Sequence, residues 1–101
     1  MYKLLILIPN YKGGAFIRDT IMPLKQGIPN ATVLVVDDAS PDDPKSYLGG
    51  LADHCIYKSS NGGYAATVNF GLKYFLDNEE YDLVMVTNSD IKVDVTKAQS
   101  I

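Results

Sequence analysis

The chain has 101 residues, which leaves room for one domain around one hydrophobic core. Apolar residues make up 47% of it and charged residues 21%, and no apolar run approaches the ~20 residues that span a bilayer, which excludes a transmembrane segment in this sequence. The net charge of −3 comes without a basic cluster and argues against nucleic acid as a partner.

Four short runs rich in Val, Ile and Leu predict strands, at 3–8, 32–36, 55–57 and 83–86. The first run is too short to be the core of a secretory signal. Apart from the weak third run, the runs are nearly continuous rather than alternating, as in strands that helices cover on both faces. The sequence therefore predicts an α/β domain with a mostly parallel sheet of about four strands and helices on both faces.

Three segments between the strands are predicted to form helices. The first spans 15–26 and contains Pro23, which removes a backbone donor and predicts a kink or an early stop. The second begins within 40–44, where Ser or Asp can cap a helix and proline suits its first turn. The third, over 64–76, has its apolar residues at helical spacing.

Polar side chains follow the end of every predicted strand. In an open parallel sheet these ends share one edge, and ligands bind beyond that edge where the strand order reverses. The segments concerned are 9–11, 37–40, 59–63 and 88–90. We expect the functional site to lie there.

Asp37 and Asp38 directly follow the second strand. Because side chains alternate along a strand, at most one of the two can point straight into a given pocket, and the other is left for turn or capping bonds. A carboxylate here is a natural acceptor for the ring N–H of a uracil- or thymine-type base. A turn that caps the next helix explains the pair as well.

Asp90 follows the fourth strand and is a candidate ligand for a divalent cation. Mg²⁺ and Mn²⁺ prefer oxygen ligands and often bridge one or two carboxylates to substrate phosphates. Asn88 would add an amide oxygen or a hydrogen bond. Asn-Ser-Asp is also a common turn composition, which explains these residues without a metal.

The segment Asn61-Gly62-Gly63 opens the third predicted helix. Glycines at a helix N-terminus permit the close approach of an anion, although a left-handed turn explains them equally well. The chain has no G-x-G-x-x-G after a strand and no P-loop, which argues against ordinary dinucleotide and NTPase sites.

Three other residues carry side chains that could take part in chemistry. His54 is the only histidine, which excludes multi-histidine metal sites, and Cys55 is the only cysteine, which excludes an internal disulfide. We expect structural roles for both. Tyr11 is a candidate for stacking on a base, with a core or rim role as the alternative.

Taken in chain order, four segments resemble the family 2 glycosyltransferases with the GT-A fold. They are 6–14 (ILIPNYKGG), 35–40 (VVDDAS), 61–66 with Asn69, and 88–90 (NSD). The resemblance covers about residues 3–95, and it is specific because the four motifs occur in the family's order at plausible separations. It implies a Rossmann-like half of the GT-A fold.

The resemblance also implies a site for a nucleotide-diphospho-sugar. Asp90 matches the family's metal-coordinating position, for Mn²⁺ or Mg²⁺, while Asn88 stands where the family's D-x-D element has its first acidic residue. The residues implied to hold the nucleotide sugar are Pro9, Asn10, Tyr11, Asp38, Asn61, Gly63, Asn69 and Asn88.

By resemblance, the parent reaction transfers a sugar, with inversion, to a hydroxyl of a glycan, lipid or small-molecule acceptor. The carboxylate base that such families use has no match after Asp90. We therefore expect residues 1–101 to be one nucleotide-diphospho-sugar-binding domain, a truncated glycosyltransferase catalytic domain that is inactive alone. We expect the domain to be cytoplasmic. Any association with a membrane surface would come from other regions or partners.

Two alternatives remain. A non-catalytic nucleotide-sugar-binding or assembly module would keep the same fold without transfer. A phosphoacceptor receiver domain shares the layering and an Asp-Asp pair, but it would place acids after the first strand, where this chain has Pro9 and Asn10.

Overall fold

The computed structural model describes residues 2–14 and 16–89, which alternate strand and helix along the chain. The elements are β1 (Leu4–Asn10), α1 (Ile17–Gly27), β2 (Thr32–Asp37), α2 (Pro44–Leu48), β3 (His54–Tyr57), α3 (Tyr64–Asp77) and β4 (Leu83–Val86). The predicted strands and helices are all present, with boundaries that differ by a few residues.

The four strands of the described part form one parallel sheet in the order β3-β2-β1-β4. β2 lies beside β1 and β3 lies beside β2, so the first three strands follow one another across the sheet. β4 lies on the other side of β1, so the strand order reverses between β1 and β4. Ligand sites of open α/β sheets lie beyond such a reversal.

Helices cover both faces of the sheet, which explains why the central strands are apolar throughout. On one face, Ile6 and Ile8 of β1 pack in a cluster with buried residues of α1 and α2. On the other face, Leu5 and Leu7 belong to a cluster that includes apolar side chains of α3. The predicted α/β layering with a parallel sheet is confirmed.

β1 extends beyond its predicted end, through Pro9 to Asn10. Successive residues of β1 point their backbone N–H and C=O groups alternately toward β4 and toward β2. Leu7 O accepts from Thr87 N on the β4 side, and Asn10 O accepts from Asp38 N on the β2 side. The Pro9 nitrogen therefore faces the β4 side, where β4 has already ended at Val86. The missing N–H of proline breaks no ladder bond there.

The structure corrects two details of the helix predictions: α1 does not stop early at Pro23, and no Ser or Asp side chain caps the start of α2. α1 runs through Pro23 to Gly27 rather than stopping early, because tertiary burial of its apolar face stabilises the helix across the missing bond. α2 has only 5 residues and no side-chain cap. Of the residues expected to cap it, Asp43 stands at the N-cap position without a side-chain bond, and Ser40 and Asp42 accept instead from Lys12 N and Gly14 N in the loop after β1. No helix among the described residues has the length and apolar character needed to cross a membrane.

α3 approaches β1 closely through Gly71, which is buried in the helix. A Cβ at this position would overlap the side chain of Leu7. We predict that Gly71→Ala lowers the free energy of unfolding by about 1–3 kcal/mol, because the helix has to move away from the sheet. Urea denaturation followed by circular dichroism measures this change.

Gly49→Ala is the matched control. Gly49 has a φ of −59°, and a Cβ there would lie 3.4 Å from its nearest neighbour, Lys45 O. We expect this variant to stay within about 0.5 kcal/mol of the parent. A Gly71→Ala chain as stable as the parent would contradict the close packing of α3 on β1.

Candidate functional site

A cleft with two compartments lies beyond the carboxyl ends of the strands. The first cavity has a volume of about 390 Å³ and is lined by Pro9, Asn10, Tyr11, Asp38, Asn61, Gly63, Tyr64 and Thr67. The second cavity has a volume of about 640 Å³ and is lined by Pro9, Tyr11, Lys12, Gly13, Phe16, Tyr64, Asn88 and Ser89. The two cavities share Pro9, Tyr11 and Tyr64, so they form one continuous site beside the reversal of strand order.

The cleft brings together most of the residues singled out from the sequence. Asn69 is the exception, since it is exposed on α3 and lines neither cavity. Asp90 lies outside the described residues. The predicted residues that line the cleft are Pro9, Asn10, Tyr11, Asp38, Asn61, Gly63 and Asn88.

The two acidic residues after β2 point in different directions, as their alternation along the strand predicts. Asp37 is buried; its Oδ1 accepts from Asn10 Nδ2 at 2.8 Å and from Ser40 Oγ at 2.7 Å, and its Oδ2 accepts from Ser40 N at 2.9 Å. Asp37 therefore organises the turn after β2, while Asp38 lines the first cavity.

The carboxylate of Asp38 accepts three hydrogen bonds from the segment that leads into α3. Oδ1 accepts from Lys58 Nζ at 2.7 Å and from Gly62 N at 2.8 Å, and Oδ2 accepts from Gly63 N at 2.9 Å. The Asp38 carbonyl oxygen also accepts from Asn61 Nδ2 at 3.1 Å. These bonds hold the end of β2 against the N-terminus of α3.

Gly63 has a φ of +90°, which L side chains rarely adopt, so the turn before α3 requires glycine there. Burial alone raises the pKa of Asp38, but the hydrogen bonds from Lys58, Gly62 and Gly63 outweigh burial and lower it from an ordinary 3.8 to about 2. The carboxylate is therefore ionised at neutral pH.

Asn10 supports the cleft from the other face of the sheet. It is 1% exposed, and its Nδ2 donates to Asp37 and, at 3.2 Å, to the Tyr47 hydroxyl, which in turn donates to Asp42 Oδ1 at 2.8 Å. Burial is the main cause that raises the pKa of Tyr47, to about 12, so the hydroxyl keeps its proton and remains a donor.

Gly13 passes directly over the Asn10 side chain. Asn10 Oδ1 is buried and accepts no hydrogen bond from the described residues. A Cβ at position 13 would overlap this oxygen, so only glycine allows the loop after β1 to pass so close.

The loop after β1 is held in place by the loop after β2. Lys12 N donates to Ser40 Oγ at 3.0 Å, and Gly14 N donates to Asp42 Oδ2 at 3.4 Å. Lys12 and Ala39 both have a φ of +56°, which is uncommon for residues with a side chain. Asp43, before α2, is the third described non-glycine residue with a positive φ. The strained backbone at Lys12 and Ala39 lies in the two loops that these hydrogen bonds join.

The second cavity contains groups that suit an anion and a hard cation. Lys12 supplies a positive charge, and Asn88 and Ser89 supply neutral oxygen donors. Thr20 Oγ1 donates to Ser89 O at 3.0 Å, which fixes the segment after β4 against α1. Within 2–14 and 16–89, no cluster of three or more His, Cys, Asp or Glu side chains could hold a metal ion.

Several residues that line the cleft, and Lys58, which contacts its lining, were not assigned from the sequence. Tyr64 lines both cavities and directly follows the glycines of its motif, so its position in the motif could have indicated it. Lys58 bonds to Asp38 across 20 positions of the chain, and no local pattern indicates such a pair. Thr67, Lys12 and Phe16 were also missed.

Comparisons with known proteins identify the family of the chain. The family model described as Glycosyl transferase family 2 matches residues 5–98. A low-salt glycan biosynthesis hexosyltransferase, Agl10, of Haloferax volcanii is 30% identical over 88 residues, which cover 87% of this chain and 28% of that protein. An uncharacterized glycosyltransferase of Rickettsia prowazekii is 33% identical over 70 residues, 67% of this chain and 22% of that protein.

Two solved structures share the fold. Residues 1–349 of S. aureus TarS superpose with a TM-score of 0.76 at 21% identity, over 97% of this chain and 30% of that one. The mannosyltransferase PcManGT from Pyrobaculum calidifontis, in complex with GDP-Man and Mn²⁺, gives a TM-score of 0.76 at 18% identity, over 98% of this chain and 31% of that one. The chain thus spans about a third or less of the length of these proteins.

Acid should weaken the structure through Asp38. Because its pKa is lower in the folded state, the carboxylate stabilises the fold above about pH 4, and this contribution is lost as the pH falls towards about 2. Asn at this position cannot titrate. We predict that between pH 5 and pH 2 the parent loses more unfolding free energy than Asp38→Asn, by on the order of 1 kcal/mol. Urea denaturation at several pH values measures the unfolding free energy of both chains. Equal losses in the two chains would contradict the stabilising role of the Asp38 carboxylate.

Proposed function

The chain belongs to glycosyl transferase family 2, and from this premise we propose that its cleft is the donor site of a glycosyltransferase. The donor is a nucleotide-diphospho-sugar, and the parent enzyme transfers the sugar, with inversion, to a hydroxyl of a glycan, lipid or small-molecule acceptor. The observation that carries the proposal is the two-compartment cleft, which the family-like motifs line at the reversal of strand order.

The first cavity is the compartment for the base and the ribose. Tyr11 and Tyr64 line it while remaining 48% and 60% exposed, so their rings are available to a flat ligand. Aromatic side chains stack on bases, and base stacking is typically worth ~1–3 kcal/mol. Asp38 supplies an ionised acceptor for a base N–H.

Asn10 and Asp37 act by positioning rather than by direct contact with the ligand. The amide nitrogen of Asn10 is already bonded to Asp37 and Tyr47, and the Asp37 carboxylate is buried among internal donors. Together they fix the loop that carries Tyr11. Their role is to preorganise the cleft, which lowers the cost of ordering it when the donor binds.

The second cavity is the compartment for the diphosphate and the sugar. Lys12 faces it with a positive charge, and the backbone at Gly13 allows a close approach. Asn88 and Ser89 offer the oxygen donors that Mn²⁺ or Mg²⁺ prefers, and Asp90, outside the described residues, would add the carboxylate. When bound, the cation would neutralise charge on the departing diphosphate.

The metal proposal has support from a neighbour. PcManGT, whose fold the chain shares, was solved with GDP-Man and Mn²⁺. A divalent cation beside a nucleotide sugar is therefore compatible with this fold. Because position 88 is Asn, the described lining of the second cavity offers a cation no carboxylate, so Asp90 is the residue on which metal affinity depends.

A second candidate is a non-catalytic nucleotide-sugar-binding or assembly module. One observation favours it: the described lining of the second cavity includes no carboxylate that could deprotonate an acceptor. Sugar transfer by the full-length parent would exclude this candidate, while donor binding without transfer by that parent would support it.

Calorimetric titration of the chain with UDP, dTDP and GDP, with and without Mn²⁺, tests the donor site. We predict that at least one of them binds, and that Asp38→Ala weakens binding about tenfold or more without metal, because a buried acceptor for the base is lost. Asp90→Ala should instead remove mainly the increase in affinity that Mn²⁺ gives.

Asp77→Ala, at the exposed C-terminal end of α3, is the matched control and should bind like the parent. Circular dichroism checks that each variant is folded. If none of the three nucleotides binds, the donor-site proposal is wrong. If Asp38→Ala and Asp90→Ala lose the same affinity under both conditions, the division of roles is wrong.

A further inference from the structure

The hydrogen bonds already made by Asp38 restrict which base it can bind. A carboxylate oxygen accepts about two hydrogen bonds. Oδ1 has both places filled by Lys58 Nζ and Gly62 N. Oδ2 accepts from Gly63 N, and the neighbouring Thr67 hydroxyl donates its one proton to Gly63 O. Asp38 is therefore left with the capacity for one further hydrogen bond, on one oxygen.

We propose that this cleft selects a uracil-type base, uracil or thymine, over guanine, and that Lys58 is the residue that sets this selectivity. The inference rests on the proposed function, because it concerns the base of the nucleotide that the first cavity would hold. The shared fold does not fix the base, since a neighbour of the same fold was solved with GDP-Man.

Guanine is a poor match for this arrangement. Its base-pairing edge presents two adjacent donors, the ring N1–H and the amino group, which one carboxylate satisfies only when each oxygen is free to accept. With a single acceptor left on Asp38, one guanine donor would remain unpaired in the cavity. An unpaired buried donor costs roughly 1–3 kcal/mol, which corresponds to roughly a 5- to 150-fold loss of affinity.

Uracil is a good match because it has one ring N–H between two carbonyl oxygens. The N3–H meets the remaining acceptor of Asp38, and donors stand on both sides of that carboxylate. Lys58 is not itself among the lining residues, but its ammonium lies against two that are, Asp38 and, at 3.4 Å, Thr67. These two groups accept from two of its three N–H groups. The Asn61 amide donates one of its two N–H groups to the Asp38 carbonyl.

Lys58 is held in place for this role. Its side chain is only 12% exposed, and its backbone N donates to Asp37 O at 2.9 Å at the end of β2. Replacing Lys58 by Met keeps a long apolar stem but frees a place on Oδ1. Each oxygen of Asp38 would then have one acceptor place, which is the pattern that guanine needs.

The test is calorimetric titration of the 101-residue chain, at fixed Mn²⁺, with UDP, GDP, CDP and 3-methyl-UDP, in which a methyl group replaces the N3–H. We expect UDP to bind about tenfold or more tightly than GDP and 3-methyl-UDP. CDP should also bind more weakly than UDP, because its N3 is an acceptor and faces the carboxylate. Lys58→Met should lower the UDP-to-GDP affinity ratio about tenfold.

Lys73→Met is the control, since Lys73 is exposed on α3 and, unlike Lys58, has no hydrogen bond to Asp38; it should leave the ratio unchanged. If GDP or 3-methyl-UDP binds as tightly as UDP, the selectivity proposal is wrong while the donor site stands. If no nucleotide binds, both proposals fail. Should Lys58→Met not fold, the comparison of UDP with 3-methyl-UDP in the parent chain decides the question.

Discussion

The bonds from Lys58 and the amides of Gly62 and Gly63 to the Asp38 carboxylate are the interaction on which the cleft depends. Where parallel strands end, backbone groups lose their ladder partners, and a buried polar group without a partner is costly. At the start of α3, the Asp38 carboxylate accepts from two backbone amides and thereby joins α3 to the end of β2. The same bonds place Tyr64 beside the first cavity and decide how much acceptor capacity the carboxylate has left for a ligand.

A second network makes the opposite wall. Asp37 points to the other face of the sheet and bonds to Asn10 and Ser40, and Tyr47 extends the chain of bonds to Asp42. The adjacent acids of β2 thus organise the loop after β1 on one side and the entry to α3 on the other. A cleft built in this way is ordered before any ligand arrives, which reduces the cost of binding.

The sequence predicted the layers well because burial on both faces leaves continuous apolar strands, and it placed most cleft residues because strand ends of a parallel sheet converge. It could not show that the Asn10 amide donates to Asp37, that α1 continues through Pro23, or that Lys58 donates to Asp38. Those outcomes depend on contacts between residues far apart in the chain, 20 positions for Lys58 and 27 for Asn10 with Asp37. Asn69 was chosen by motif alone, and helical geometry places it outside both cavities.

The most direct measurement of where a donor nucleotide binds is a ¹H–¹⁵N NMR titration of the chain with UDP. The account predicts that the largest amide shifts fall on Tyr11, Gly62, Gly63 and Tyr64, and that the separate 480 Å³ cavity between α1 and α2, lined in part by Arg18 and Gly50, does not respond. Shifts concentrated at that cavity, or no shifts at all, would contradict it.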